Sequence, residues 1–569
     1  MSRLQNHRLT IIAAAGLVAV VVLLWLPFGI KVSGLTEEWD VFVSFDKGIK
    51  YGFLTLTSYQ RMRPFTVTPH AIAYWLNPNS FVGFNLLQML FFVCKGTFLY
   101  LLVRRLLPGE RALAFVAAVL VIIYPADEGM FTFRTIHIHA AVGALLLAVY
   151  LLVRYWERPR LLTLVGMWLA TLVSVGSYEV GFPLVLSAPL VLVCLERKIN
   201  RRVIWVSLLW YIAPLLALVY MLLAFTQAGD TYTYQAWVLS HNGVDQGRLL
   251  ESVASSIVTL YRRHLVDGWL EALRQIDLSS IFTYLSVIAA AMSALIVWLH
   301  LRPTSDAFTK RRRYIALIVI GLVVMELGHL VFLATPYRPI TWRVYFFSAI
   351  GGALTMAALC ALLSSFTPVR IRSAIYSVVA GVVIALASVH AFNQHAHFVE
   401  LALDQQRLLA GIIEQAPRIQ PDGDNQRLIV MVDETGRYRN EWSLGGSEFL
   451  RDSLQYLYQD YKLDAFMCYP DYTLEGGQWL PGYCEFGPDE VSMTYLDGSS
   501  SLPYAYERVV MLSYDDENGV RLLESIPAYY AVDSVAAGYN PDRLVDADAP
   551  PPPRALTVFE HWPMEQTTS

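Results

Sequence analysis

The sequence predicts a polytopic α-helical membrane protein with about eleven transmembrane helices and a small C-terminal extracytoplasmic α/β domain. Three observations predict it. The 569 residues are 55% apolar and only 16% charged, with a mean hydropathy of +0.44, greasier than a soluble globular chain of this size. Apolar runs of near-membrane length recur through the first two thirds. The charge also changes sign along the chain: the total is −4, yet residues 1–392 hold 32 Lys/Arg against 18 Asp/Glu, net +14, and the remaining 177 hold 11 against 29, net −18. That contrast divides the chain into a membrane domain, 1–392, and an acidic, water-exposed domain, 393–569, with no affinity for nucleic acid. Collagen, coiled coil and intrinsic disorder are excluded on composition.

The apolar runs fall at about Leu9 to Ile30, Phe81 to Val103, Ala112 to Tyr124, Ile136 to Val153, Leu161 to Gly176 and Val180 to Leu195. Five more follow, near Val203 to Phe225, Ile281 to Leu301, Tyr314 to Ala334, Val344 to Leu363 and Ala374 to Ala391. The first is too long for a signal-peptide core and lacks a small-residue cleavage site, which makes it a retained anchor. The third, fifth and sixth are shorter than the roughly 17 residues a crossing helix needs. Alternate connections are basic: Arg3 and Arg8, Arg104 to Arg111, Arg154 to Arg160, Arg197 to Arg202, Arg302 to Arg313, and Arg370 with Arg372. The positive-inside bias puts these loops and the N-terminus in the cytoplasm and the acidic tail outside a plasma (inner) membrane.

Two outer connections are long, Lys31 to Ser80 and Thr226 to Ser280. The second carries apolar residues from Leu249 to Leu273 at near-helical spacing, suited either to a helix lying in the interface or to one packed on the bundle. The tail opens with an amphipathic helix, about His397 to Gln415, followed by a strand at Arg427 to Val432, a helix at Glu448 to Tyr461 and a strand at Ala465 to Tyr469. Arg508 to Tyr514 and Val520 to Ser525 flank Asn518-Gly519, a hairpin signal. Pro550 to Pro553 mark a stiff linker. Cys94, Cys194 and Cys360 lie in expected spans and read as small apolar residues. Cys468 and Cys484 lie outside, where they are either free thiols or a disulfide worth about 3 kcal/mol.

Charges near or within the membrane are costly and therefore informative. Glu37, Glu38 and Asp40 follow the first span; three carboxylates so close repel one another and suit a general base or a cation site, the plainer alternative being a solvated loop. The same outer connection carries Arg61-Met-Arg63-Pro64-Phe65. The outer turn between the third and fourth spans holds Asp127, Glu128, Arg134 and His137, and Arg338 and Arg343 come late. Arginines kept outside against the positive-inside bias are suited to holding a phosphate through paired donors, or to a lipid headgroup contact. His137/His139 and His395/His397, spaced i, i+2, point to opposite helix faces and cannot share one metal. Glu179 caps a helical hairpin or serves the site, and Glu326 and His329 share a helix face and would pair.

Taken in order, these residues resemble the GT-C superfamily of integral-membrane glycosyltransferases, which use polyprenyl-phosphate-linked donors. Glu37-Glu38-Trp39-Asp40 looks like the family's catalytic acidic pair, with Glu where Asp is more usual. Arg61 to Phe65, Leu76-Asn-Pro-Asn79 and Phe84-Asn-Leu-Leu are similar to the stretch leading into the family's second span. Asp127-Glu128 takes the place of a second acidic motif, Tyr178-Glu179 that of a hairpin motif, and Trp342-Arg343-Val-Tyr345 resembles a late Arg-Tyr element. The match covers about residues 9–392. It implies Glu38 as base with Glu37 or Asp40 as orienting neighbour, Arg63, Arg134, Arg338 and Arg343 at the donor phosphate, and Asp127, Glu128, His137 and Glu179 in support. The implied partners are a polyprenyl-phosphate sugar donor, the lipid bilayer and an extracytoplasmic lipid, glycan or protein acceptor. No cofactor is implied with certainty, a divalent cation staying open. A glycan polymerase or ligase, and a transporter or sensor with Lys95, Glu326 and His329 at its centre, are the competing expectations.

Overall fold

A computed structural model of the chain describes residues 3–36, 38–226, 249–301, 307–334, 342–421, 425–435, 447–469, 483–494, 501–526 and 538–560. Its first part is a helical bundle: α1 (Arg3–Trp25), α2 (Glu38–Asp46), α3 (Ile49–Tyr59), α4 (Val67–Leu76), α5 (Val82–Leu106), α6 (Arg111–Ile123), α7 (Ile136–Glu157) and α8 (Leu161–Ser177). There follow α9 (Phe182–Ser187), α10 (Leu190–Glu196), α11 (Arg201–Thr226), α12 (Leu249–Arg262), α13 (Gly268–Arg274), α14 (Ile281–His300), α15 (Ala307–His329), α16 (Ser348–Ser364) and α17 (Val369–Gln415). Among the described residues eight helical segments are long and apolar enough to cross a membrane, the property of a membrane-spanning helical protein. Three shorter apolar helices, α6, α8 and α16, lie where the sequence places further spans.

Of these, α6 is the most enclosed: every residue from Ala112 to Ile123 is buried. Its apolar character serves packing against neighbouring helices rather than contact with lipid, so a mere 13 residues suffice. By contrast α11 turns Trp205, Leu215, Leu216, Leu222 and Phe225 outward, as lipid-facing residues do. Small residues permit a close helix contact between α15 and α16. A Cβ on Gly351 of α16 would lie 2.3 Å from the Gly321 carbonyl oxygen of α15, so only glycine permits that approach.

The long helix α17 spans 47 residues, about 70 Å at 1.5 Å per residue. The point where the chain's charge changes sign, between 392 and 393, falls inside it, and the amphipathic stretch expected from His397 is its second half. Its buried face carries His390, Gln394, His395 and Gln405. Each finds a partner, among them the Leu24 carbonyl for His395 at 2.9 Å.

Beyond it lies a small α/β region: β1 (Arg427–Asp433), α18 (Ser447–Tyr458), β2 (Leu463–Cys468), β3 (Tyr483–Phe486), β4 (Glu490–Thr494), β5 (Tyr504–Ala505), β6 (Val509–Asp515), β7 (Gly519–Leu522) and α19 (Pro553–Glu560). One sheet has the order β2-β1-β6-β7, with β1 parallel to both neighbours. Being central and parallel, β1 is buried throughout, and its unbroken apolar run follows from that. β6 and β7 pair antiparallel through the Asn518-Gly519 turn, where Gly519 takes φ +69°. A second sheet, β3-β4-β5, is joined to the first by the Cys468–Cys484 disulfide, Cα–Cα 5.7 Å. The proline-rich stretch near the end leads straight into α19, which begins at Pro553, a residue suited to a helix's first turn.

Candidate functional site

The acidic motif opens α2. Glu38 is 1% exposed, and its Oε2 accepts from the backbone N–H of Leu35 and Thr36 at 3.2 and 3.1 Å and from the Thr36 hydroxyl at 3.4 Å. Its donors precede the helix, so the carboxylate closes the turn leading into α2, at the end where the helix dipole favours negative charge. Asp40, two residues further in, is half-buried and accepts from the Ser44 hydroxyl at 3.0 Å. The loop is also tied to α17: Gln405 donates to the Leu35 carbonyl at 3.1 Å and accepts from Trp39 Nε1 at 3.3 Å. Glu37 lies outside the described residues, as does Arg338.

Arg63 and Glu179, 116 residues apart, meet in a bidentate pair, Nε to Oε2 at 2.6 Å and Nη2 to Oε1 at 2.5 Å. The Arg63 guanidinium also lies over the Tyr178 ring, 4.9 Å from its centroid. Backbone contacts fix this meeting: Phe65 N–H donates to the Gly176 carbonyl at 3.0 Å and the Thr66 hydroxyl to the Ser177 carbonyl at 2.7 Å. His137 stands beside them, its ring 5.7 Å from Tyr178 and 5.8 Å from His70, within electrostatic reach of Arg63 and Arg343.

A second cluster shares Arg343. The guanidinium carbons of Arg343 and Arg134 lie 4.4 and 5.4 Å from the Trp342 ring centroid, cation–π distances. What holds Arg343 there is Asp127. Its Oδ1 accepts from the N–H of Gly129 and Arg343 at 2.8 and 2.9 Å, and its Oδ2 from the N–H of Tyr345 at 2.9 Å. Arg343 adopts φ +56°, a left-handed conformation that costs a non-glycine residue about 1–2 kcal/mol. Burial pushes the Asp127 carboxyl up to about 6, against the downward pull of its three N–H donors. Gln394 of α17 donates to the Asp127 carbonyl at 2.7 Å and completes the clamp.

An aromatic floor connects the acidic helix to these cations. Trp39 meets Phe81 at 5.2 Å, Phe81 stacks with Phe133 at 6.1 Å, and Phe84 joins Phe133 at 5.3 Å and His70 at 6.0 Å. The structure thus gathers Arg63, Arg134, Arg343, His137 and Glu179 and puts Asp127 beneath Arg343. Glu128 goes elsewhere: it pairs with Arg263 at 3.1 Å. Glu128 and Arg263 lie close because Gly268, where a Cβ would stand 1.6 Å from the Pro125 carbonyl oxygen, lets the turn after α12 abut this loop.

Two buried sites outside the cluster have local explanations. His139 Nε2 faces the Met130 carbonyl at 2.9 Å, so that nitrogen carries the proton and Nδ1 accepts from Lys95 Nζ at 3.3 Å. This pair joins α5 to α7. His329 lies 3.3 Å from the Ser256 hydroxyl, a partner on α12 rather than on its own helix.

Tyr178 and Trp342, already part of the hairpin and late Arg-Tyr motifs, add ring contacts to the site, and His70 and Gln405 join it with nothing in the local sequence to mark them. Among the described residues no group of three His, Cys, Asp or Glu side chains is arranged to hold a metal ion. No protein-family model matches the chain, and no curated protein matches it significantly.

Proposed function

We propose that the chain is a membrane glycosyltransferase of GT-C type, eleven spans with cytoplasmic N-terminus, which moves a sugar from a polyprenyl-phosphate carrier to an extracytoplasmic hydroxyl. The observation that carries this reading is the gathering of Arg63, Arg134 and Arg343, from three separate stretches, around His137 and Trp342. Three guanidiniums at one end of an apolar bundle suit the phosphate of a lipid whose chain lies in hydrocarbon. Basic loops at the opposite ends of the helices support the orientation.

In the reaction the acceptor oxygen bonds to the anomeric carbon as the bond from that carbon to the phosphate oxygen breaks. The hydroxyl proton passes to a carboxylate, and the phosphate leaves with its charge met by the arginines. Asp40 is the base in this reading, because it keeps partial exposure on α2, while Glu38 is occupied with the turn before the helix. Arg63, locked to Glu179, faces one side of the phosphate, and Arg134 and Arg343 the other.

Purified protein incubated with a panel of radiolabelled polyprenyl-phosphate hexoses and pentoses, plus a membrane extract as acceptor, tests this. Wild type transfers label from one donor, and Asp40→Asn lowers the rate by about 10²–10⁴. Undiminished transfer by Asp40→Asn removes the base assignment; no transfer or release of label from any donor by wild type removes the activity.

A further inference from the structure

The C-terminal α/β region packs Val520 of β7 against Gly411 of α17 and bonds the Tyr456 hydroxyl to the Pro78 carbonyl, and it also makes a set of contacts with α2. Helix α2 has nine residues, under three turns, too short to hold its own position in water. Three grips on it come from residues that follow the membrane-spanning part of α17. At its start, Gln405 holds Leu35 and Trp39. Along its middle, the Tyr456 ring packs 4.9 Å from Phe42 and 6.1 Å from Trp39. At its end, Asp46 takes an ion pair from Arg554 of α19 at 2.7 Å and a hydrogen bond from the Tyr461 hydroxyl.

The Arg554–Asp46 pair is largely shielded from water, with side chains 19% and 16% exposed. Arg554 also lies over the Tyr456 ring at 4.6 Å, and Lys47 over Tyr461 at 4.5 Å. Shielding and ring contact make the pair stronger than a surface ion pair. Arg554 reaches Asp46 only because α19 brings the end of the chain back over α18. The segment therefore fastens the α/β region down onto α2.

We infer that the α/β region is a brace for α2, with Arg554 and Asp46 as positioning residues that set where Asp40 stands. The inference rests on the transferase reading for its functional consequence and on geometry alone for the brace. Neither residue touches substrate; each acts through the helix that carries the carboxylate.

The test uses full-length protein with Cys94, Cys194 and Cys360 replaced by alanine and a reporter, Val43→Cys, placed on the buried side of α2. The rate of maleimide labelling reads how often α2 leaves its seat. Arg554→Gln raises that rate about tenfold, the loss of a shielded ion pair. Arg554→Lys, which keeps the cation, stays within about threefold of the parent. Circular dichroism and an intact Cys468–Cys484 bridge show that the variants remain folded.

In the second arm, transfer from a polyprenyl-phosphate hexose is measured without the reporter. Arg554→Gln lowers kcat about tenfold and leaves the donor KM unchanged. Unchanged labelling in Arg554→Gln overturns the brace. Faster labelling with unchanged kcat overturns the positioning role. Faster labelling in a protein that transfers nothing leaves the brace standing and removes the transferase reading.

Discussion

Asp127→Ala removes one acceptor group from three backbone N–H donors at once, those of Gly129, Arg343 and Tyr345. Each buried N–H left unpaired costs about 1–3 kcal/mol, roughly 3–9 in all. Against this stands the relief of burying a charge. Burial raises the carboxyl from 3.8 to about 6, a cost of about 3 kcal/mol at neutral pH. Asp127→Asn takes the same relief but keeps an oxygen for Gly129 and Arg343 and orphans only Tyr345. Asparagine is thus expected near wild type in thermal stability, and alanine below asparagine by about 2–6 kcal/mol.

The sign of the pH effect follows from the raised value. The folded state holds the Asp127 proton more tightly than the unfolded chain, so this contribution to stability is fully present below about 3.8 and is lost as pH rises through about 6. Wild type should gain on Asp127→Asn as the pH of a melting experiment falls from 7 to 5. Equal stability of the alanine and asparagine variants, or the same pH slope in wild type and Asp127→Asn, would refute the account of the clamp.

Arg343→Ala should weaken binding of a polyprenyl phosphate by about 10–100-fold, one charge-assisted contact, measured by scintillation proximity. A double-mutant cycle of Arg63→Lys with Glu179→Gln should return a coupling of about 1–3 kcal/mol in thermal stability, since the bidentate geometry needs both planar groups. Replacing Cys468 and Cys484 by alanine should lower the stability of the α/β region by about 3 kcal/mol, seen as faster proteolysis there with the bundle left intact.

Local chemistry was legible and distant pairing was not. Most apolar runs yielded helices, because run length is a property of neighbouring residues, but the run from Val180 is divided between α9 and α10 and the helix expected to end at Ala391 continues to Gln415. The strand at Arg427 and the Asn518-Gly519 hairpin were equally local. The role of Asp127 was hidden, since two of its three donors lie 216 and 218 residues downstream, and its neighbour Glu128 gave no sign that it would turn to Arg263. Nor does the change of charge at 392 mark a break in the backbone, because a helix continues wherever its hydrogen bonds do, whatever the solvent beside it.

The amino-acid order by itself determined the membrane class, the basic and acidic ends of the molecule, and which side chains are costly enough to need a partner. Tertiary structure decided the partners: which arginine meets Glu179, which loop Asp127 holds, and that the far end of the chain returns to seat α2. The physical reason is that burial cost belongs to a single residue and can be read in place, whereas the group that offsets it is chosen by packing among helices far apart in sequence.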